Sequence, residues 1–429
     1  MDVNALLSLA AMVLVFAGVY FLSRKKIEIS IALIASSIAG ALAAGEGIPI
    51  RHLVEGEFGY FNVVMVILSG SIFLKTMQEN GTMEGITRSL ARKLSSHPFF
   101  LLLFSMVLLF LPGTVTGLGV PAVLSTGVLV IPILKKMGMR DATLAAFIAL
   151  EACLGTVAGP INIPVMIIAN AINMPYEGFS KVLPLMTISL GLITMLILGL
   201  KTALKADPAL IREAFPFETD ELCGIKAYIP VIVVILLFVL PSFFPFRLPA
   251  LSTPLVFLVG TVVAVFCGRR INVVESLSRA VDGPILSVAA LLTSVGVVVQ
   301  IATLTGVKGL IVVESLSLGK SFIYLALAIV LPLFGGVVTM LGAAAILGVP
   351  LVLALLGHNV IITTAAVSLL CALSQVIPPT AIVGLLAGET IGFNDYGKIM
   401  GRLFWPCLIA VVVAVIMVAF ANPLAHVLI

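Results

Sequence analysis

Residues 155–164 read Gly-Thr-Val-Ala-Gly-Pro-Ile-Asn-Ile-Pro, from Gly155 to Pro164, in the middle of an apolar run that starts near 141 and ends near 173. A helix crossing a bilayer hydrogen-bonds its whole backbone internally. A run of glycines and prolines at mid-depth frees amides and carbonyls that only neighbouring protein or a water-lined cavity can receive. Such a break is expected where a membrane protein binds something. A second break, Gln375-Val-Ile-Pro-Pro-Thr380, interrupts the apolar run 361–392. Pro160 aligns on Pro379, Ile172 on Ile391 and Gly178 on Gly397, all at a spacing of 219.

The rest of the chain supplies the membrane. Hydrophobic residues make up 61% of the 429 positions and charged residues 10%, where a soluble domain carries about a quarter charged. Apolar runs long enough to cross a bilayer recur throughout. They are expected near 6–22, 29–44, 61–77, 141–173 and 182–200, and again near 228–245, 251–268, 284–304, 361–392 and 402–420. Two further segments, 98–136 and 320–356, each hold two short apolar runs around a glycine-rich centre, Gly113–Gly119 and Gly335–Gly342. Each reads as a re-entrant hairpin whose tip stops at mid-depth.

The expected fold is therefore an all-α polytopic membrane protein of two inverted-topology repeats. About ten transmembrane helices and two re-entrant hairpins form it, in the manner of an elevator-type transporter. Residues 1–200 form the first repeat, with hairpin 98–136 and broken helix 141–173. The charged stretch 201–227 is a linker, and 228–429 form the second repeat, with hairpin 320–356 and broken helix 361–392. Five crossings per repeat turn the second half over.

Charge gives the orientation. With both termini outside, nineteen of the 24 Lys and Arg fall in segments expected on the cytoplasmic side, and five fall outside: Arg51, Lys181, Arg247, Lys308 and Lys320. That is the positive-inside distribution. The net charge of +4 follows from it and implies no nucleic-acid partner. The first run has Asp2 before it and Arg24, Lys25 and Lys26 after it, the reverse of a secretory signal. The five cysteines are scattered, and the four histidines stand in loops or the tail. No nucleotide-binding or zinc-protease pattern is present, no cofactor is expected, and the chain does not read as an enzyme.

The binding residues are sought at the breaks and tips. Helix N-termini there favour an anionic group, and freed carbonyls favour a cation such as Na⁺. For substrate we single out Thr114, Thr116, Gly117, Asn162, Gly336, Thr339 and Thr380. For ion coupling we single out Gly113, Thr156, Pro160, Glu151, Ser374, Gln375 and Pro378. Gly and Thr at a helix break also read as purely structural. Glu151, one turn before the first break, reads either as a proton or cation carrier or as a carboxyl buried neutral.

The tip Gly113-Thr-Val-Thr-Gly-Leu-Gly119, the following Thr126-Gly-Val-Leu-Val-Ile-Pro132, the break through Pro164 and the stretch Ile377-Pro-Pro-Thr380 resemble, in their order, the large membrane subunit of TRAP transporters. That family belongs to the ion transporter superfamily. The departures are Leu118 for a tip serine, Met340 for an acidic residue of the second tip, Val383 for an asparagine and Glu151 for a small residue.

The resemblance implies sodium-driven uptake of an organic anion, such as a C4-dicarboxylate or sugar acid, across a bacterial cytoplasmic membrane. The departures leave room for a proton as coupling ion. It also implies two partners, a small four-helix membrane subunit and a periplasmic substrate-binding protein. A stand-alone carboxylate carrier or ion antiporter of the same superfamily is the alternative. A channel or an intramembrane enzyme is a reading from another class.

Overall fold

The computed structural model describes residues 3–22, 28–176, 178–209, 211, 225–243, 251–282, 284–317, 319–378 and 381–429. Among them there is no strand, and six helices are long and apolar enough to cross a membrane. The chain has the architecture of a polytopic membrane protein. Most of the linker expected at 201–227 lies outside the described residues.

The first half runs α1 (Val3–Leu22), α2 (Ile29–Ala43), α3 (Ile50–Phe58), α4 (Phe61–Glu79) and α5 (Thr82–Leu94). It continues with α6 (Pro98–Thr116), α7 (Gly119–Lys136), α8 (Asp141–Gly155), α9 (Ile163–Ala171) and α10 (Phe179–Lys205). The second half runs α11 (Ile229–Phe243), α12 (Thr253–Cys267), α13 (Val273–Val281), α14 (Pro284–Leu304) and α15 (Val307–Ser317). Then come α16 (Phe322–Gly336), α17 (Thr339–Ala354), α18 (Val360–Leu373), α19 (Ile382–Ile391), α20 (Tyr396–Ala419) and a terminal α21 (Ala421–Leu428).

Helices α8 and α18 form the centre. Every residue from Leu144 to Gly155 and from Ile362 to Leu373 is buried. A helix apolar on all sides is stable only when surrounded; α6, α10, α19 and α20 pack around α8, and α9, α17 and α20 pack around α18. Asp141 lies in the first turn of α8, where a carboxylate complements the helix dipole. Asn359 caps α18, its Oδ1 accepting from the Ile362 amide at 3.2 Å. A second set of helices stands beside this core: α2 packs on α14, and α4 packs on α12.

Several spans differ from their sequence expectation. The runs at 141–173 and 361–392 are each two short helices, and neither half crosses alone. Helices α2 and α12 have 15 residues each, roughly 22 Å of helix against a hydrocarbon core of about 30 Å. The hairpin legs are longer than expected, and both legs of the first, Pro98–Thr116 and Gly119–Lys136, are among the six helices long and apolar enough to cross a membrane. Pro112-Gly113 does not end α6, which spans 19 residues in all, continues to Thr116 and turns at Gly117 with φ of 69°. Proline costs a helix one hydrogen bond and strains the preceding turn, which tight neighbours absorb. The turn therefore sits at Gly117-Leu118, at the C-terminal end of the expected tip. In the second hairpin the kink is at Thr339, with φ of 76° and ψ of 163°.

The legs still fold back together. Helix α6 packs on the second leg, and α5 packs near its C-terminal turn. A Cβ on Gly70, midway along α4, would collide with the Val115 carbonyl oxygen. That contact holds the first tip halfway along a membrane-length helix. Helices α3, α5, α13 and α15 are short and lay in stretches read as loops. Helix α5 shows why. It is polar on one face, with Glu84 in its first turn and Arg92 and Lys93 in its last.

Candidate functional site: two helix breaks and two hairpin tips

Each tip is pressed against one break. A Cβ on Gly113 would stand 2.7 Å from the Gly155 carbonyl carbon, and a Cβ on Gly335 would stand 2.6 Å from Ser374 Cβ. A Cβ on Gly336 would stand 2.8 Å from the Pro378 carbonyl oxygen. Glycine is required at these three positions by close approach, because any side chain would have to displace neighbouring atoms.

The first break is closed by its own residues. Asn162 is fully buried and caps α9, its Oδ1 accepting from the Val165 amide at 3.1 Å. Its Nδ2 donates to Ser368 Oγ at 3.0 Å and to the Val157 carbonyl at 3.3 Å. The Tyr176 hydroxyl donates to the Pro160 carbonyl at 3.0 Å and accepts from the Asn162 amide at 3.1 Å. The Gly159-Pro160 peptide is cis. The Ile161 amide reaches the Thr114 carbonyl at 3.3 Å. Asn162 thus has its side chain committed to structure.

The described part of the second break is also tied by a tyrosine, the Tyr396 hydroxyl donating to the Val376 carbonyl at 2.5 Å. The Gln375 carbonyl accepts from the Val383 amide at 3.0 Å, which anchors the start of α19. Its side chain reaches across the molecule, Nε2 donating to Thr156 Oγ1 at 3.3 Å and approaching Met340 Sδ at 3.2 Å. Cys153 Sγ donates to the Ala372 carbonyl at 3.0 Å. Both cross-contacts join residues 219 apart. The starts of α8 and α18 (Asp141 and Val360) and of α9 and α19 (Ile163 and Ile382) stand at that same spacing. Each hairpin also has one π-turn in its second leg, at Val123–Gly127 and Ala344–Gly348.

A cavity of about 440 Å³ opens beside Gln375. Both tips and the second break contribute to it, through Leu118, Val120, Thr339, Met340, Ser374 and Gln375. Thr339 Oγ1 is shielded and has no hydrogen-bond partner in the protein. The backbone of Thr339 lies in a region that favours glycine. A strained residue with an uncommitted hydroxyl at a cavity wall is a candidate ligand group.

The fourteen sequence candidates therefore divide. Thr339, Ser374 and Gln375 line the cavity, and Thr156 touches it through Gln375. Gly113, Gly117 and Gly336 shape the tips. The hydroxyls of Thr114 and Thr116 turn back to the Leu111 and Pro112 carbonyls, at 2.8 and 2.7 Å. Both bonds are local to α6, so neither hydroxyl faces the cavity. Pro160 lines a separate apolar groove with Phe110 and Phe238. Pro378 is exposed at the second break, and Thr380 lies outside the described residues. Glu151 is fully buried, with neither carboxylate oxygen hydrogen-bonded. It faces Gly191 of α10, next to the ring of Phe110, and does not line the cavity.

Sequence reading missed three scaffold groups at the cavity: Glu28, Ser30 and Ser287. Glu28 stands two positions after Lys26 of the basic cluster, at a span end where charges are common. It also missed Tyr176, which ties the first break. Among the described residues no group of three or more His, Cys, Asp and Glu is placed to hold a metal ion. A scan against protein-family models finds no match, and a search of curated protein sequences finds none either.

Proposed function

We propose that the chain is a secondary transporter that couples the uptake of a small organic anion to an ion gradient, with Na⁺ as the preferred coupling ion. The observation that carries this reading is the convergence of two glycine-shaped tips and the second helix break on one cavity of an apolar helical protein, with the first break tied to it through Thr156 and Gln375. Irregular backbone at membrane depth is tolerated where it lines such a cavity. Broken helices present amide and carbonyl ends to a ligand there.

The two halves act as inverted repeats in this reading. Support comes from the spacing of 219 shared by helix starts and by the contacts Thr156–Gln375 and Cys153–Ala372. Residues near a two-fold axis meet their own counterparts, and these pairs behave that way. Reciprocal packing of α2 on α14 and α4 on α12 follows the same relation. The helices around α8 and α18, with both hairpins, form the moving body. Helices α1–α4 and α11–α14 form the frame against which it slides.

With the termini outside, the starts of α2 and α14 lie at the cytoplasmic face. Glu28, Ser30 and Ser287 at those starts line the cavity, so this conformation opens inward. The ordered likeness to the large TRAP subunit supports an organic anion as cargo. It also implies a four-helix membrane subunit and a periplasmic binding protein as partners.

The test is reconstitution in liposomes with an imposed Na⁺ or proton gradient, with and without candidate partners. Gradient-dependent accumulation of a labelled carboxylate is the expected result. Absence of accumulation with both gradients and all partners present would remove the reading.

A further inference from the structure

The cavity beside Gln375 has an unequal lining. Ile29, Leu118, Val120, Val288, Leu291 and Ile382 make much of its wall aliphatic. Hydrogen-bonding groups come from Thr339 and Gln375 on one side, where the Ser374 hydroxyl is spent on the Cys371 carbonyl at 2.6 Å, and from Glu28, Ser30 and Ser287 on the other. Among the described lining residues Glu28 carries the only charge, and neither Lys nor Arg is present.

Glu28 is held in place across the frame. Ser30 Oγ donates to its Oε2 at 3.4 Å, and Ser287 Oγ donates to its Oε1 at 3.5 Å. These bonds join the starts of α2 and α14 and leave the carboxylate exposed at the opening.

On the opposite side the groups suit one carboxylate. The Thr339 hydroxyl has no hydrogen-bond partner and is shielded, so a ligand would have to turn it into the cavity. Gln375 Nε2 spends one contact on the Met340 sulfur, a weak acceptor that a carboxylate oxygen replaces at small cost. A second carboxylate on the same molecule would meet either aliphatic wall or Glu28. The first leaves a charge without a partner, and the second places like charges together.

We infer that the site selects a small monocarboxylate with an aliphatic body over a dicarboxylate, and that Glu28 at the opening is the residue that disfavours a second negative charge. This rests on the transport reading for the location of the site and narrows its substrate class. It departs from the C4-dicarboxylate that the family resemblance implies.

Binding to the purified full chain in sodium chloride, by titration calorimetry, separates the alternatives. The probes are 4-methylpentanoate and succinate, for the wild type and for Glu28→Gln. The expected result is tighter binding of 4-methylpentanoate by about tenfold or more, and a ratio that narrows at least about threefold in Glu28→Gln. Glu28 is exposed, so the variant is expected to fold, and the wild-type ratio stands without it. Tighter binding of succinate, or an unchanged ratio in Glu28→Gln, overturns the inference and leaves the transport reading intact. Binding of neither acid also overturns the inference, while the transport reading falls only if the liposome test fails as well.

Discussion

Gln375 Nε2 donates to Thr156 Oγ1 at 3.3 Å, and this contact joins the two helix breaks at the centre of the molecule. Thr156 also donates its own proton to the Cys153 carbonyl at 2.7 Å, so its oxygen is oriented to accept. The pair ties the break that is closed by its own residues to the one that lines the cavity.

Replacing Gln375 with Leu removes that tie and a cavity amide together. The stability cost is expected to be about 0.5–1.5 kcal/mol, that of one ordinary hydrogen bond, while gradient-driven uptake falls to background. Thermal unfolding and uptake measured on the same preparation check the split. A variant that keeps full uptake would remove Gln375 from the site.

The tips should tolerate no added methyl group. Gly113→Ala and Gly335→Ala each push a Cβ into atoms 2.7 and 2.6 Å away. Overpacking of this kind costs about 1–3 kcal/mol. Gly309 in α15 has nothing within 4 Å of a built Cβ, and Gly309→Ala is expected to stabilise by up to about 1 kcal/mol through helix propensity. Melting temperatures of the three variants should therefore move in opposite directions.

Thr339 separates stability from binding. Its φ of 76° and ψ of 163° fall where glycine alone is comfortable, at a cost of about 1–3 kcal/mol for other residues. Thr339→Gly is expected to recover part of that cost, less the entropy glycine adds to the unfolded chain. It should also weaken carboxylate binding by several-fold. Stability that falls together with binding would show that the hydroxyl serves the fold.

Glu151 gives a prediction in the other direction. Both its oxygens are buried without partners, and it stands apart from the cavity lining. Glu151→Met keeps the length of the side chain and removes an unsatisfied polar group. Stability is expected to rise by about 1–3 kcal/mol, with Na⁺-driven uptake unchanged. Loss of ion coupling in this variant would return Glu151 to the coupling machinery.

The breaks were legible because glycine and proline have few uses at the centre of an apolar run. The helix ends at Gly155 and Leu373 agree with that local chemistry. The tip at Gly117 was less so. Pro112-Gly113 looks like a terminator, and only packing against Gly155 shows why α6 continues through it.

Amphipathic helices such as α5 were invisible to a search for apolar runs, since their polar face dilutes the signal. Glu28 was hidden for a related reason. A carboxylate at a span end is common, and its place at the cavity depends on Ser287, 259 positions away. The contact of Gln375 with Thr156 likewise depends on the folded arrangement of the halves.

The most direct test is Na⁺-gradient-driven accumulation of labelled 4-methylpentanoate in liposomes containing the wild-type chain or Gln375→Leu, with candidate partner subunits present in both. Accumulation by the wild type that collapses with the gradient and is lost in a folded Gln375→Leu is the predicted result. Equal accumulation by both chains, or none by the wild type with any partner, would contradict a transport site at the junction of the tips and breaks.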